Sequence, residues 1–333
     1  MSVWSEVGTE LEKNLTPDGQ PNFDLVRRRI LTELSQHVKR PILVYAADFL
    51  NIQKARAAGN DLSIDWSDKE GFNEVTLDLP KGPLDVVLHS PGGMAEAAES
   101  LVVHLRNKFD PIRFIIPNIA KSAATILALS GNAILLDRNA ELGPIDPQFF
   151  ISRGDGSTVV APAQAIKDQF AMANERLSKN PKDLPVWLPI LQQYGPALLV
   201  QVDNAMDLSQ KLVTKWLTDF MFAGDPEADT KAKSVADYFS EHNRFLTHSR
   251  RIGLREINEN KIPLNIVDLE KEPALHRLVL RLYAAISHTF SRTGVFKMYE
   301  NSQGQALFKM IQSVMISTGP GLPAPIAKGG KKK

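Results

Sequence analysis

The sequence predicts an α/β protein with a mainly parallel sheet, on three observations. Short apolar runs such as "LDVVLH", "IRFIIP" and "AILLD" alternate with stretches of helical period, the order expected of parallel strands joined by crossover helices. Two of these runs lead straight into a turn of glycine or small residues and then a helix, in "VVLHSPGGMAEA" and "FIIPNIAKSAATIL". Beyond "ELGPIDPQFF" the composition shifts and the remaining chain reads as mostly helical.

Taken in order, an amphipathic helix is expected over 24–36 and an apolar strand over 42–45, with 51–83 polar and irregular. A strand at 84–89, the turn "SPGG" and a helix over 94–109 follow, then a strand at 112–117, the helix opened by "NIAKSAATILALSG", and a strand at 133–137. Gly154, Gly156 and Ser157 mark a loop before a helix over 163–177. The stretch 183–222 is helical in period, with Pro185, Pro189 and Pro196 at helix starts or breaks. Further helices and one short late strand are expected before a helix over 273–293, and the end, rich in Pro and Gly, is expected to be disordered. On this reading 1–24 is an N-terminal extension, 25–270 the α/β unit, 271–315 a helical region and 316–333 a disordered basic tail.

With 333 residues, 43% hydrophobic and 23% charged, the chain suits one large or two ordinary globular domains that need no staples. The absence of cysteine excludes disulfides, thiolate nucleophiles, Cys-ligated zinc and iron–sulfur clusters. A net charge of +1 supplies no global field for nucleic acid. No window reaches the roughly 18 consecutive apolar residues of a spanning helix, and the first residues lack a signal-peptide core. The expectation is a cytoplasmic protein with no membrane insertion, no nucleic-acid partner, no cofactor and no metal.

Chemistry is expected where the two βα turns meet. In an open α/β sheet ligands sit beyond the carboxyl ends of the strands, where helix N-termini present free N–H groups. Gly92 and Gly93 let the backbone bend and approach closely, which suits half of an oxyanion hole. Ser122, at the first turn of its helix, has the Ala123 N–H next to it as the second donor. An N-cap role for Ser122, a surface or anion-contacting role for Lys121 and a structural hydrogen bond for His89 are the alternatives. His276 and His288 flank an apolar helix without completing any metal spacing, and read as packing or interface residues.

"LHSPGG", "AKSAATILAL" about thirty residues on, and then "ELGPIDPQ" resemble, in that order, the signatures of the Clp-protease class, most closely the serine dehydrogenase proteinase (SDH proteinase) family, which is related to signal peptide peptidase A and the NfeD-type proteases. Weaker similarity extends the match over roughly residues 25–310. The resemblance implies a Clp-protease/crotonase-like ββα spiral, an ATP-independent serine peptidase acting on peptide or protein substrate, and assembly into homo-oligomers. It places the nucleophile at Ser122 and the oxyanion donors at Gly93, with Gly92, and Ala123.

Asp146 stands where Clp-type relatives carry the general-base histidine. Relatives of the signal peptide peptidase type take a lysine from the following helix, which points to Lys167 in "AQAIKDQF". A Ser/Lys dyad needs a neutral amine, hence a pocket that lowers the lysine pKa by roughly 3 units from about 10.4. Lys121 could supply positive field for that, and an inward Asp168 would oppose it. His248, in "THSRRIG", lies in the matched region without an assigned role. Substrate is expected to add as a strand beside the SPGG segment. The alternatives are a catalytically inactive oligomeric scaffold that binds peptide, and a crotonase-like acyl-CoA binder.

Overall fold

The computed structural model describes residues 2–152 and 156–311. Its strands are β1 (Ile42–Ala47), β2 (Gly82–His89), β3 (Phe109–Ile116), β4 (Ile119–Ala120), β5 (Ala133–Leu136), β6 (Glu141–Leu142), β7 (Gln148–Ser152), β8 (Thr158–Pro162), β9 (Ile266–Asp268), β10 (Val295–Asn301) and β11 (Ala306–Met310). The helices of the first half are α1 (Val3–Lys13), α2 (Phe23–Val38), α3 (Ile52–Ala58), α4 (Asp68–Thr76), α5 (Ala95–Arg106) and α6 (Ala123–Leu129). Those of the second half are α7 (Ala163–Lys179), α8 (Leu184–Leu191), α9 (Leu198–Trp216), α10 (Ala228–Ser240), α11 (His242–Phe245), α12 (Leu254–Glu259) and α13 (Pro273–Arg292).

The main sheet has the order β11-β10-β1-β2-β3-β5-β9, and the five strands from β1 to β9 are parallel. Strand alternation explains its three layers. Along β1, Leu43 and Tyr45 join a core with α4, α5, α6, α9 and α10, whereas Ile42, Val44 and Ala46 join a second core with α1, α2 and α13. Both faces are covered, so every residue of β1 is buried and the strand reads as one apolar run. The expected mainly parallel α/β architecture is thus present. Among the described residues no helix is long and apolar enough to cross a membrane.

Two regions depart from the sequence reading. Residues 51–83 are not irregular, for they contain α3, capped by the Asn51 side chain, and α4, whose Phe72 and Val75 enter the core. Their sparse apolar positions give little helical period. The segment 271–315 does not stay helical, because α13 ends at Arg292 and the chain returns as the β10–β11 hairpin, with β10 antiparallel to β1. Strand β10 reads as polar since Lys297, Glu300 and Asn301 interrupt it, yet all three are buried. Glu300 takes Arg27 of α2 as its partner, and Lys297 takes Asp68 of α4. The basic tail 316–333 lies outside the described residues.

His89 ends β2 immediately before the SPGG turn. Its ring lies 4.9 Å from Phe49 and 5.2 Å from Tyr283, and Nδ1 accepts the Ile119 N–H at 3.4 Å. Burial pushes its imidazolium pKa down to about 4 from 6.5. The unfolded chain therefore binds a proton that the folded chain refuses between those two values, and stability falls as pH drops through that window, by roughly 3 kcal/mol for this group in full. His89→Gln is expected to flatten the loss of stability between about pH 6.5 and about pH 4, read as urea midpoints at several pH values.

Candidate active site

Ser122 stands between β4 and α6 with φ 52° and ψ −125°, a left-handed conformation that a non-glycine residue rarely holds. Such strain costs about 1–3 kcal/mol and persists only where the surroundings fix it. Here they do. Strand β4 is locked to the end of β2, with Ser90 N–H donating to Ile119 O and Lys121 N–H donating to Ser90 O, each at 3.1 Å. One residue on, the Ala124 N–H donates to Lys121 O at 2.9 Å and the Ile126 N–H to Ser122 O at 3.1 Å, so the helix begins at once. Thr125 Oγ1 adds a bond to Ala120 O at 2.8 Å.

Gly92 packs directly on this turn. A Cβ at Gly92 would meet Lys121 O at 2.4 Å and Ser122 Cβ at 2.6 Å, and the residue itself has φ 96°. Gly93 is equally confined, since a Cβ there would fall 2.3 Å from Ile64 O. Ile64 pairs with Gly93 as a parallel bridge in which Ile64 N–H donates to Gly92 O at 2.7 Å and Ile64 O accepts Met94 N–H at 2.9 Å. In such a pair the intervening residue turns its own N–H to the opposite edge, so the Gly93 N–H faces away from Ile64. Among the described residues neither the Gly93 N–H nor the Ala123 N–H donates a hydrogen bond, and both residues line one cavity with Ser122. One edge of the SPGG segment is therefore already occupied by the chain itself.

That cavity has a volume of about 530 Å³. Ile64, Met94, Ile126, Ile145, Phe149 and Leu208 give it apolar walls, and Asp65 and Glu96 add acidic groups. His248 lines it as well. The His248 imidazole binds Asp146 Oδ1 through Nδ1 at 2.7 Å, and His242 binds the other oxygen, Oδ2, through its own Nδ1 at 2.9 Å. Asp146 is 2% exposed, while the His248 side chain keeps 21% of its surface open. A carboxylate accepts only, so an Nδ1–H donated to Asp146 leaves Nε2 of His248 with a lone pair. No hydrogen bond joins Ser122 Oγ to His248 among the described residues.

The sequence reading and the structure part company over the base. Lys167 does not line the Ser122 cavity; its Nζ donates to Asp203 Oδ1 of α9 at 2.7 Å, and 41% of its side chain is exposed. Helix α7 buries Ala163, Ile166 and Ala173, and the lysine beside them reaches outward. Within one chain, then, Ser122 and Lys167 are not brought together. Asp168 is turned to Gln164, at 2.7 Å.

Lys121 is also not aimed at the cavity. Its ammonium donates to Glu141 Oε2 at 2.7 Å, Leu142 O at 3.0 Å and Arg250 O at 3.1 Å. Burial lowers its pKa, and the bond to Glu141 opposes that shift. Arg250 belongs to the loop of His248, which is fastened again by reciprocal bonds between Leu142 and Ile252 at 2.9 and 3.0 Å. The lysine beside the hydroxyl thus ties the serine turn to the histidine loop.

His248 and His242 lie 102 and 96 positions from Asp146, and no local spacing links them to it. The remaining signal was chemical: a buried aspartate at a position where an imidazole is expected needs partners, and "HNRFLTHS" supplies two. Among the described residues no cluster of His, Asp or Glu is arranged to hold a metal ion.

Residues 64–169 match the model of the family described as ClpP-like SDH-type serine proteinase. The resemblance to that family is thereby shown over the segment that holds SPGG, Ser122 and GPIDPQ, and it supports a serine protease. An uncharacterized protein of Methanocaldococcus jannaschii is 28% identical over 195 residues, covering 56% of this chain and 56% of the relative. A second uncharacterized protein of the same organism is 41% identical over 67 residues, covering 20% of this chain and 23% of the relative. The chain thus spans about half the length of the first and under a quarter of the second. Among solved structures, a serine-to-alanine mutant of a membrane-bound stomatin-specific protease aligns with TM-score 0.36 and 13% identity, covering 64% of this chain and 79% of that chain. A lysine-to-alanine mutant of that protease in complex with a substrate peptide gives TM-score 0.33 and 14% identity, covering 62% and 70%.

The contact between Gly92 and Ser122 generates a direct prediction. Gly92→Ala places a methyl group against Lys121 O and Ser122 Cβ, and forces alanine into a positive φ. Labelling of Ser122 by a fluorophosphonate is expected to fall by at least about 100-fold, the scale for losing an aligned oxyanion donor. Wild-type labelling of the folded variant would show that this turn does not set the geometry of the hydroxyl.

Proposed function

We propose that this chain is an ATP-independent serine endopeptidase that forms an acyl-enzyme at Ser122, with the Gly93 and Ala123 N–H groups as oxyanion donors and His248, oriented by Asp146, as the general base. One observation carries the reading: a histidine fixed through Nδ1 by a buried carboxylate shares a cavity with a serine held in a strained turn. Ser122 Oγ attacks the scissile carbonyl carbon as His248 Nε2 takes its proton. The imidazolium that forms is stabilised by Asp146, and the carbonyl oxygen, now an anion, receives two amide hydrogens. His248 then gives the proton to the leaving amine, and water repeats the sequence on the ester.

Lys167 as base belongs to the same chemistry but requires the amine to leave Asp203 and reach Ser122, within the chain or from another subunit. The histidine already lines the Ser122 cavity and requires its loop to move toward the hydroxyl, as catalytic hydrogen bonds commonly tighten only when substrate is bound. Extended peptide would use the apolar cavity and the edge of SPGG that Ile64 leaves open. A cytoplasmic location and a homo-oligomeric state are part of the proposal. The second is supported by α8, whose Val186 and Leu188 are 69% and 44% exposed.

Peptide hydrolysis and fluorophosphonate labelling, measured side by side, separate the readings. Ser122→Ala is expected to abolish both, and His248→Gln to lower turnover by about 10²–10⁴-fold, the usual contribution of a general base. Lys167→Ala is expected to stay within about 3-fold of wild type, its bond to Asp203 being a surface pair. The reverse pattern, with Lys167→Ala inactive and His248→Gln active, restores the lysine dyad. Undiminished peptide binding with no turnover in the wild type would instead make the chain a scaffold.

A further inference from the structure

The five hydrogen bonds of the Asp68–Lys297 pair have no role in the chemistry described so far. Lys297 of β10 and Asp68 of α4 are both fully buried and bonded to each other at 2.6 Å. Each Asp68 oxygen accepts two donors: Oδ1 takes Lys297 Nζ and the Tyr299 hydroxyl, while Oδ2 takes the Tyr45 hydroxyl at 2.7 Å and the Asp65 N–H at 2.9 Å. Lys297 Nζ makes one further bond, to Ser63 O at 2.8 Å. Gly71 permits this crowding, since a Cβ there would fall 2.4 Å from the Tyr299 ring. As a core filler the pair is dispensable, because apolar side chains of similar volume commonly pack as well as a buried ion pair does. What an apolar pair would not supply is the two bonds to residues 63 and 65.

Those bonds bracket Ile64, whose N–H and C=O hold Gly92 O and Met94 N–H and so turn the Gly93 N–H to the cavity. We infer that Lys297 and Asp68 are positioning residues for the oxyanion donor: they clamp residues 63 and 65, and through Ile64 they fix the direction of the Gly93 amide. The inference rests on the serine-hydrolase reading and adds to it a part of the chain more than 170 residues beyond Ser122, in the C-terminal hairpin. It makes β10 a wall of the site at one remove. An ion pair suits this task because its bonds are directional, whereas apolar packing would leave the 63–65 segment free to slide along SPGG.

The test compares Lys297→Met with Glu300→Gln, which disturbs the equally buried Arg27–Glu300 pair of the same strand and touches no residue of 63–65. Turnover and KM are measured with one peptide, along with affinity for a peptide boronate, whose tetrahedral adduct places an oxygen in the oxyanion hole. Lys297→Met is expected to lower kcat and boronate affinity together by about 10- to 10³-fold, up to the loss of one oxyanion donor, with KM within about 2-fold. Glu300→Gln is expected to leave both near wild type. Should Lys297→Met fail to fold, Tyr299→Phe removes a single hydroxyl donor to Asp68 Oδ1 and is expected to give the same split at smaller size. Unchanged kcat and boronate affinity in the folded variant, or an equal loss in Glu300→Gln, would overturn the inference while leaving the hydrolase intact. A wild-type chain that neither turns over peptide nor binds boronate would remove the hydrolase reading itself, and this positioning role with it.

Discussion

The site depends on one close contact between two turns. Gly92 and the 121–122 peptide lie so near each other that even a methyl group would not fit between them, and the same proximity holds Ser122 at a positive φ. A serine free to relax would move its Cβ and carry the hydroxyl away from the Ala123 N–H. The contact exists because β4 continues the edge of β2 through Ser90, so the two βα turns are parts of one hydrogen-bonded ladder. Strain of about 1–3 kcal/mol is small beside the burial of α6, every residue of which is in the core, at about 1.5–3 kcal/mol for each large apolar side chain. The helix therefore anchors the turn from one side, and the β2 ladder from the other.

The remaining groups reach this contact from distant parts of the chain, and each is fastened by its own polar tie. Ile64 is bonded along Gly92–Met94, Lys121 reaches across to Arg250, and Asp146 gathers His242 and His248. Lys121 answers a question raised by its position. A lysine at the mouth of a buried helix looks wasteful until its three acceptors are seen, two of which are backbone carbonyls of neighbouring segments. It adds a side-chain tie to segments that the β4–β6 pairing and the Leu142–Ile252 bridge already hold together. Its charge is balanced by Glu141, so what it contributes to the serine is geometry more than field.

The elements legible in the sequence were those whose signal is local. Ser122, Gly92, Gly93 and Ala123 sit in two short motifs that announce a strand, a turn and a helix, and the parallel sheet follows from the same alternation. Asp146 was legible as a departure, an acid at a place where the resemblance implies an imidazole. The histidine that meets it was not, because a contact across 102 positions leaves no periodic trace. Lys167 shows the converse: a residue type and spacing that fit a known dyad say nothing about which side of α7 faces Ser122, and within this chain the amine is bonded to Asp203 of α9. Strand β10 escaped for a related reason, since its charges are neutralised by partners from α2 and α4 that only the tertiary fold supplies.

An aspartate at the place of a histidine need not mean a lost base. A catalytic imidazole needs two things, a lone pair toward the nucleophile and a carboxylate behind it, and the chain order of the two is free. Here the carboxylate is on the segment next to β7, and the imidazole comes from the loop after α11. The exchange has a structural consequence, because a carboxylate this deeply buried must have both oxygens satisfied, and one histidine can serve only one of them. His242, with Gln148 at 3.3 Å, takes the other oxygen and leaves Oδ1 to His248. His242 and Gln148 thus share the oxygen that His248 leaves, and the burial of Asp146 is matched by donors on both of its oxygens.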